Sequence, residues 1–399
     1  MRGHEIMRGF PVPPEGRVPR GDWDRPPWNR WAFQHIREIL PTVEVWRGQG
    51  PVWRLPYAIR DLESLPVSPA EGRQTTLGRW LEEDFTDGFI VLHRGAIVLE
   101  RYLNGMTERT LHLSQSVAKS VTGTVAGILA GRGLIDPEGQ VTDYLPELKR
   151  TAWKGAKLRH VLDMTSGVRF SEDYEDPHSD VGLTDIASGW KPRLGRRKVP
   201  ACMWDQILGL KVKECEHGAK FRYRSIETDV LAHCLERAGG LRFADLVSRE
   251  LWQRLGAEES ACFTVDAAGY PLADGGFNAT LRDYARFGLM HLHGGVADGR
   301  RVLPLEWIED TRRGDPSLFG APYTDVLPRG AYRNKFWIAD HRRRAYMARG
   351  VFGQRILIDP DLDLVIVKLS SWPTFQSLER SVAFQRVAEA IGEVLASGT

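Results

Sequence analysis

The 399-residue chain is 42% hydrophobic and 27% charged with a net charge of +2, an ordinary balance for a globular protein that argues against a nucleic-acid binder. Its length exceeds what one hydrophobic core sustains, so two packed regions with a site in the seam between them are expected. Four cysteines (Cys202, Cys215, Cys234, Cys262) form no Cys-x-x-Cys pair and read as reduced thiols, and no apolar run has the length of a signal peptide or a membrane span, which makes the cytoplasm the expected location.

Residues 1–27 hold Pro11, Pro13, Pro14, Pro19, Pro26 and Pro27, a spacing that no helix interior or central strand tolerates, and read as an extended arm. A short helix follows, with Trp31, His35, Ile36 and Ile39 on one face and Pro41 ending it; a second spans Leu77–Glu83 after the caps Thr75 and Thr76. Segments 88–93 and 96–103 are β-rich runs joined at Arg94-Gly95, an antiparallel hairpin. Helical periodicity then dominates at 117–132, 158–164, 228–238, 243–255 and 281–291. A second hairpin, 354–358 with 364–369 around Asp359-Pro360, precedes a long amphipathic helix over 375–395. The sheet is thus expected to draw on both ends of the chain: an arm (1–27), an α/β sheet region (28–112 with 331–399) and a mainly helical region (113–330). The basic runs at 196–198 and 342–344 are short and read as solvated surface.

Ser114-Gln115-Ser116-Val117-Ala118-Lys119 contains Ser-x-x-Lys, and a helix from Val117 places Ser116 and Lys119 on one face. A serine hydroxyl needs a neighbour to take its proton, and a lysine amine does so only when its pKa falls. Moving it from about 10.4 to near 7 disfavours the ammonium by about 4 kcal/mol, which burial in an apolar pocket supplies. Ser116 at the helix start adds a free amide and a positive dipole end. The motif alone is weak, since roughly half a match per chain arises by chance. A second match, Ser188-Gly189-Trp190-Lys191, is discarded because Gly189 and Pro192 oppose the helix that would align it.

Tyr223-Arg224-Ser225 lies about a hundred residues after the first motif, just before a helix, and a glycine-rich strand lies near the C-terminus. Ser-x-x-Lys, Tyr-x-Ser and that strand together resemble the serine β-lactamase and penicillin-binding-protein superfamily, most of all its 6-aminohexanoate-dimer (nylon-oligomer) hydrolase branch, neighbour to the family VIII carboxylesterases. Asn29-Arg30-Trp31-Ala32-Phe33, Glu172-Asp173-Tyr174, Ala273-Asp274-Gly275-Gly276 and the run from Val365 to Pro373 carry the likeness over nearly the whole chain after the arm.

The resemblance implies an α+β, β-lactamase-like fold: an antiparallel sheet flanked by N- and C-terminal helices, with a mainly helical second region. It implies a hydrolase in which Ser116 is acylated, Lys119 is the base, Tyr223 relays the proton to the leaving group and water deacylates, with no metal or organic cofactor. The amides of Ser116 and Val351 would form the oxyanion hole. Tyr174 matches a tyrosine that contacts the substrate amide, Asp185 an acidic position that holds a substrate ammonium, and Trp190 and Trp337 match pocket walls. Asp274 stands where the branch has a different polar residue, at a place where the substrate could change. The third motif, usually Lys-Thr-Gly or His-Thr-Gly, is replaced by Tyr346-Met347-Ala348-Arg349-Gly350, which counts against strong β-lactamase or cell-wall peptidase activity.

The expected partner is a small amide or ester, with no nucleic acid or membrane; a homodimer is plausible by resemblance. Three readings compete with the amidase: a short-chain carboxylesterase using the same residues, an acyltransferase, and a non-catalytic ligand-binding module. His291-Leu292-His293 is set aside as a metal pair, because residues two apart on a helix point to different sides. No Gly-x-Ser-x-Gly elbow occurs.

Overall fold

The computed structural model describes residues 6–193, 195 and 199–397, so the basic run 196–198 lies outside the described residues. The other run, Arg342 to Arg344, is exposed. Among the described residues before residue 29 there is no strand, and the 3-10 turn Pro14–Gly16 is short, as the prolines of the arm dictate. Yet the arm does not stand away from the body, because Ile6 and Trp23 are 1% and 0% exposed and dock it there. The helix expected after it shrinks to one turn, Asn29–Ala32, and a 3-10 turn, Ile36–Glu38.

In chain order, the elements that position the site begin with β1 (Thr42–Val45), α1 (Leu77–Glu83), β2 (Thr86–His93), β3 (Ala96–Tyr102) and β4 (His112–Leu113). Next come α2 (Val117–Gly131), α3 (Asp180–Ala187), α4 (Ile226–Gly239), β5 (Ala261–Thr264), β6 (Phe277–Ala279) and α5 (Leu281–Leu292). The C-terminal part supplies β7 (Ala331–Arg333), β8 (Phe336–Ile338), β9 (Tyr346–Gly350), β10 (Gln354–Asp359), β11 (Leu364–Ser370) and α6 (Leu378–Ser397). Thr76 caps α1 by accepting from the Arg79 amide, as its position before the helix suggests. The segment expected as one helix over 243–255 is broken by a π turn, Ser248–Trp252.

The main sheet has seven strands in the order β7-β8-β9-β10-β11-β2-β3, all antiparallel, so the two ends of the chain do meet in it. Val367 pairs with Ile90 and Ile366 with Val91. Alternate residues go to opposite faces: Ile90, Leu92, Val365 and Val367 join the central core with α5, while Phe89, Val91, Leu364 and Ile366 pack with Trp80 of α1 and Phe384, Val387 and Ile391 of α6. Burial on both faces explains why these strands read as continuous apolar runs and not as an alternation.

A second antiparallel sheet, β1-β5-β6-β4, was not expected, and two of its strands, β5 and β6, lie within the part read as mainly helical. Its strands are two to four residues long, too short for a periodic signal. It matters to the site: β4 pairs His112 with Ala279 and Leu113 with Asn278, and the Ser114 amide continues the ladder to Phe277 O at 2.8 Å. The chain therefore enters the Ser-x-x-Lys motif from a fixed strand.

Asp87, on β2 and fully buried, ties the two chain ends together. It pairs with Arg30 at 2.9 Å and His112 Nε2 at 3.0 Å, and accepts from Asn104 at 2.8 Å and Ser371 Oγ at 2.7 Å. Burial pushes its carboxyl up, but Arg30, His112 and Ser371 outweigh it and hold it below the ordinary range. Its contribution to stability is therefore present above the unfolded carboxyl pKa and is lost as pH falls through the lower folded value. Asp87→Asn is expected to cost about 3 kcal/mol in urea denaturation at neutral pH, by leaving Arg30 uncompensated, and to flatten the loss of stability in acid.

Candidate active site

Ser116 is the residue before α2, with α2 running from Val117 as the sequence suggested. Its side chain caps no backbone amide, so the hydroxyl is free for another partner. That partner is Lys119, whose Nζ lies 3.0 Å from Ser116 Oγ and donates to the Asp274 carbonyl at 2.6 Å. Lys119 is 2% exposed, whereas Ser116 is only partly buried, so the hydroxyl is the more accessible of the two groups.

Two close approaches hold this turn. Gln115 adopts a positive φ of 50°, a strained conformation for a non-glycine residue. Gly350, at the end of β9, abuts the same turn: a Cβ there would lie 2.6 Å from Ser114 O and 3.0 Å from Gln115 Cβ. On the far side of α2, a Cβ at Gly123 would meet Asn334 O at 2.4 Å, so the β7-β8 hairpin presses directly on the helix. Among the described residues, neither the Ser116 amide nor the Val351 amide has an acceptor within the protein. Val351 follows Gly350, so both amides flank the nucleophile turn and stand ready to bind an oxyanion.

Tyr223 precedes α4, and its phenol is within interaction range of both the Ser116 hydroxyl and the Lys119 amine, whose Nζ lies 5.3 Å from the ring centroid. Tyr323 OH accepts the Tyr223 amide at 2.9 Å, and the Trp337 indole stacks on the Tyr223 ring at 5.5 Å. Burial raises the phenol pKa, opposed by Lys119, so at neutral pH Tyr223 carries its proton.

The carboxyl groups around the amine change the expected electrostatics. Burial alone pushes Lys119 down, as the motif suggested, but Tyr223, Asp274, Glu172 and Asp229 together outweigh it, and the net direction is upward. The expectation of a lysine depressed toward neutrality by an apolar pocket is thus corrected, because the pocket is lined with acids. Asp229, on α4, accepts from the Ala273 amide at 3.0 Å, and its carboxyl faces that of Asp274. Burial raises both, and the neighbouring Asp274 carboxyl sends Asp229 further up. Protonation of that pair removes part of the upward push on Lys119.

Tyr174 donates to Glu172 at 2.7 Å, and Glu172 accepts the Ser225 amide at 2.9 Å and the Ser225 hydroxyl. The serine of Tyr-x-Ser therefore anchors the carboxylate that orients Tyr174, whose ring lies 5.4 Å from Phe375. Asp185, on α3, has no hydrogen-bond partner for its carboxyl among the described residues; burial first, then Asp24 and Asp274, push it up to about 8 against Lys191 and Arg25. Trp190 donates to Thr264 Oγ1 at 2.9 Å and faces Gly275, where a Cβ would sit 3.4 Å from its ring. The discarded Ser188 and Lys191 are apart: Ser188 Oγ donates to Asp185 O at 3.2 Å and Lys191 Nζ to Gly21 O at 2.8 Å. His291 is a core residue, with Nε2 2.9 Å from Thr124 Oγ1 and Nδ1 3.1 Å from Tyr346 OH.

Sequence reasoning missed Asp229, Glu172 as an electrostatic neighbour of Lys119, and Arg349. Glu172 carried a signal in standing two residues before Tyr174; Asp229 carried none, since only the packing of α4 against α2 brings it close. The strand that lacks Lys-Thr-Gly nevertheless places a cation, Arg349, beside Tyr223. Gly350→Ala is expected to lower kcat about 100-fold with the fold retained by circular dichroism, because the added methyl displaces the turn bearing the two free amides.

A profile described as Beta-lactamase matches residues 83–389. The chain is 38% identical over 367 residues to a 6-aminohexanoate-dimer hydrolase of Paenarthrobacter ureafaciens, covering 91% of each. A solved structure from Bacillus anthracis, described as a candidate 6-aminohexanoate-dimer hydrolase, superposes with a TM-score of 0.87 at 30% identity, over 95% of this chain and 97% of that one. A family VIII carboxylesterase shares the fold, with a TM-score of 0.56 at 15% identity over 78% of this chain and 95% of that one. The protein is a serine hydrolase that belongs to the β-lactamase family, on the side of it that includes the 6-aminohexanoate-dimer hydrolases.

Proposed function

We propose that the chain hydrolyses small linear amides of the 6-aminohexanoate-oligomer kind through an acyl-enzyme on Ser116. The observation that carries this reading is the 3.0 Å contact between the Lys119 amine and the Ser116 hydroxyl, with Tyr223 beside both. In its amine form Lys119 takes the Ser116 proton as Oγ attacks the amide carbon, and the free amides of Ser116 and Val351 receive the oxyanion. Tyr223, protonated at neutral pH, gives its proton to the departing amine and recovers one from the Lys119 ammonium. Water repeats the sequence to release the acid and restore Ser116.

The acidic wall favours amides that carry an amine over plain esters. Asp185 has a carboxyl without a partner among the described residues, and a substrate ammonium would supply one. Tyr174, Trp190 and Trp337 supply the contact surfaces along a linear chain, and Asp274 adds negative charge near the amine-binding end. A carboxylesterase would use the same nucleophile, base and proton donor, so the rates on the two bond types decide between them.

Ser116→Ala is expected to abolish turnover of both a p-nitrophenyl short-chain ester and the linear 6-aminohexanoate dimer, by about 1,000-fold or more. Wild type turning over the ester alone would favour the esterase, and turnover of neither would point to another substrate or a binding module. The value of kcat/KM is expected to fall toward acid as Lys119 takes a proton. Asp274→Asn removes a carboxyl that raises Lys119, so the acid limb should move to lower pH; a limb that stays in place would contradict the role given to that carboxyl.

A further inference from the structure

Asn334 and Lys335 form the two-residue turn between β7 and β8, with φ of 50° and 68°. A turn with both central residues left-handed favours glycine at the second of them, and a lysine there is strained. The lysine is also withdrawn from water, at 1% exposed. Its backbone is clasped on both sides, the amide donating to Leu162 O at 3.1 Å and the carbonyl accepting from Ser120 Oγ at 2.7 Å. The side chain starts against α2, where a Cβ at Gly123 would lie 3.0 Å from Lys335 Cβ. Gly123 stands four residues after Lys119, on the same face of that helix.

The end of the side chain is treated unlike the other buried lysines. Lys119 donates to the Asp274 carbonyl at 2.6 Å and Lys368 pairs with Asp84 at 2.9 Å, whereas Lys335 Nζ meets no hydrogen-bond partner among the described residues. Glu227, the carboxylate that acts on it most, is taken by Ser166 Oγ at 2.5 Å and Arg224 at 3.4 Å. Burial pushes the amine down to about 8; Lys119 pushes the same way, against Glu227, Asp163 and Asp229. At neutral pH it is therefore an ammonium, and one not closed in a contact pair acts on the groups around it. It lowers the Asp274 and Glu227 carboxyls, and the repulsion between two like charges disfavours the proton on Lys119 as much as the one on Lys335.

We infer that Lys335 is a positioning residue for the base: its ammonium, set along the Lys119 face of α2, counters the acids around Lys119 and keeps part of it in the amine form. This deepens the acyl-enzyme reading and rests on it for the role of Lys119. Tyr223, Asp274, Glu172 and Asp229 all favour the proton on Lys119, and Lys335 opposes them from the β7-β8 turn. A buried cation at that place also accounts for a lysine where the backbone of the turn favours glycine.

The test follows kcat/KM for a p-nitrophenyl short-chain ester against pH in wild type, Lys335→Met and Lys335→Gly, the last of which suits the turn and guards against a folding failure. Both variants are expected to be about tenfold slower than wild type at about pH 6.5. The gap should close above about pH 8, where Lys335 of the wild type has lost its own proton. Variants as fast as wild type at the lower pH, or a gap of one size at every pH, would overturn the inference. Lysine 13Cε NMR reads the same coupling without a substrate: Lys335 should titrate below the ordinary lysine range, and Lys119→Met should raise its midpoint. A midpoint indifferent to Lys119→Met would also overturn it. Failure of the acyl-enzyme reading shows separately, as ester turnover that is absent or survives in Ser116→Ala, and the NMR comparison then decides the coupling alone.

Discussion

The proposed chemistry depends on a single electrostatic constraint: the Lys119 amine is buried against Ser116 and, to act as a base, must be tolerated there both with and without its proton. A buried ammonium without partners is strongly disfavoured, and a buried amine held permanently charged is no base. The molecule meets both demands with the Asp274 carbonyl, a close acceptor, and with carboxyls that themselves titrate upward. Lys119 is therefore not simply depressed by an apolar pocket. Its proton affinity is raised by the charges of Asp274, Glu172 and Asp229, so protonating any of these carboxyls lowers it.

The fold exists to hold these groups still. The nucleophile turn is entered from β4, whose ladder to β6 fixes Ser114, and is backed by α2, buried along nearly its whole length. The end of β9 closes on it from the main sheet at Gly350, and the β7-β8 hairpin closes on α2 at Gly123. At these two points backbone meets backbone with no room for a side chain, so the sheet and the helix are positioned without intervening flexible atoms. The Asp87 cluster performs the same service at larger scale, joining Arg30, near the arm, to Ser371, near the last helix.

Much of this was legible in the sequence because it is local. The helix from Val117 that aligns Ser116 with Lys119, the cap at Thr76, and the two hairpins follow from spacing and turn residues, and the resemblance carried by Tyr223-Arg224-Ser225 and Gly350-Val351 named a candidate proton donor and the candidate oxyanion amides. What was not legible is what tertiary packing brings together. The short strands of the second sheet have no period to read. Asp229 looks like any acid on a helix until α4 lies against α2. Arg349 stands in a strand whose missing Lys-Thr-Gly suggested that no cation would be there, and only its seat on Trp337 shows that one is. The prolines of the segment read as an extended arm did not reveal that Trp23 would bury itself beside Trp190.

The measurement that bears most directly on the central claim is an intact-mass and peptide map of the protein quenched in acid during turnover of a p-nitrophenyl ester. The expected result is one added acyl group, located on the peptide containing Ser116, that is absent in Lys119→Met. An acyl group on another residue, or acylation of Ser116 that proceeds equally well without the Lys119 amine, would contradict the account.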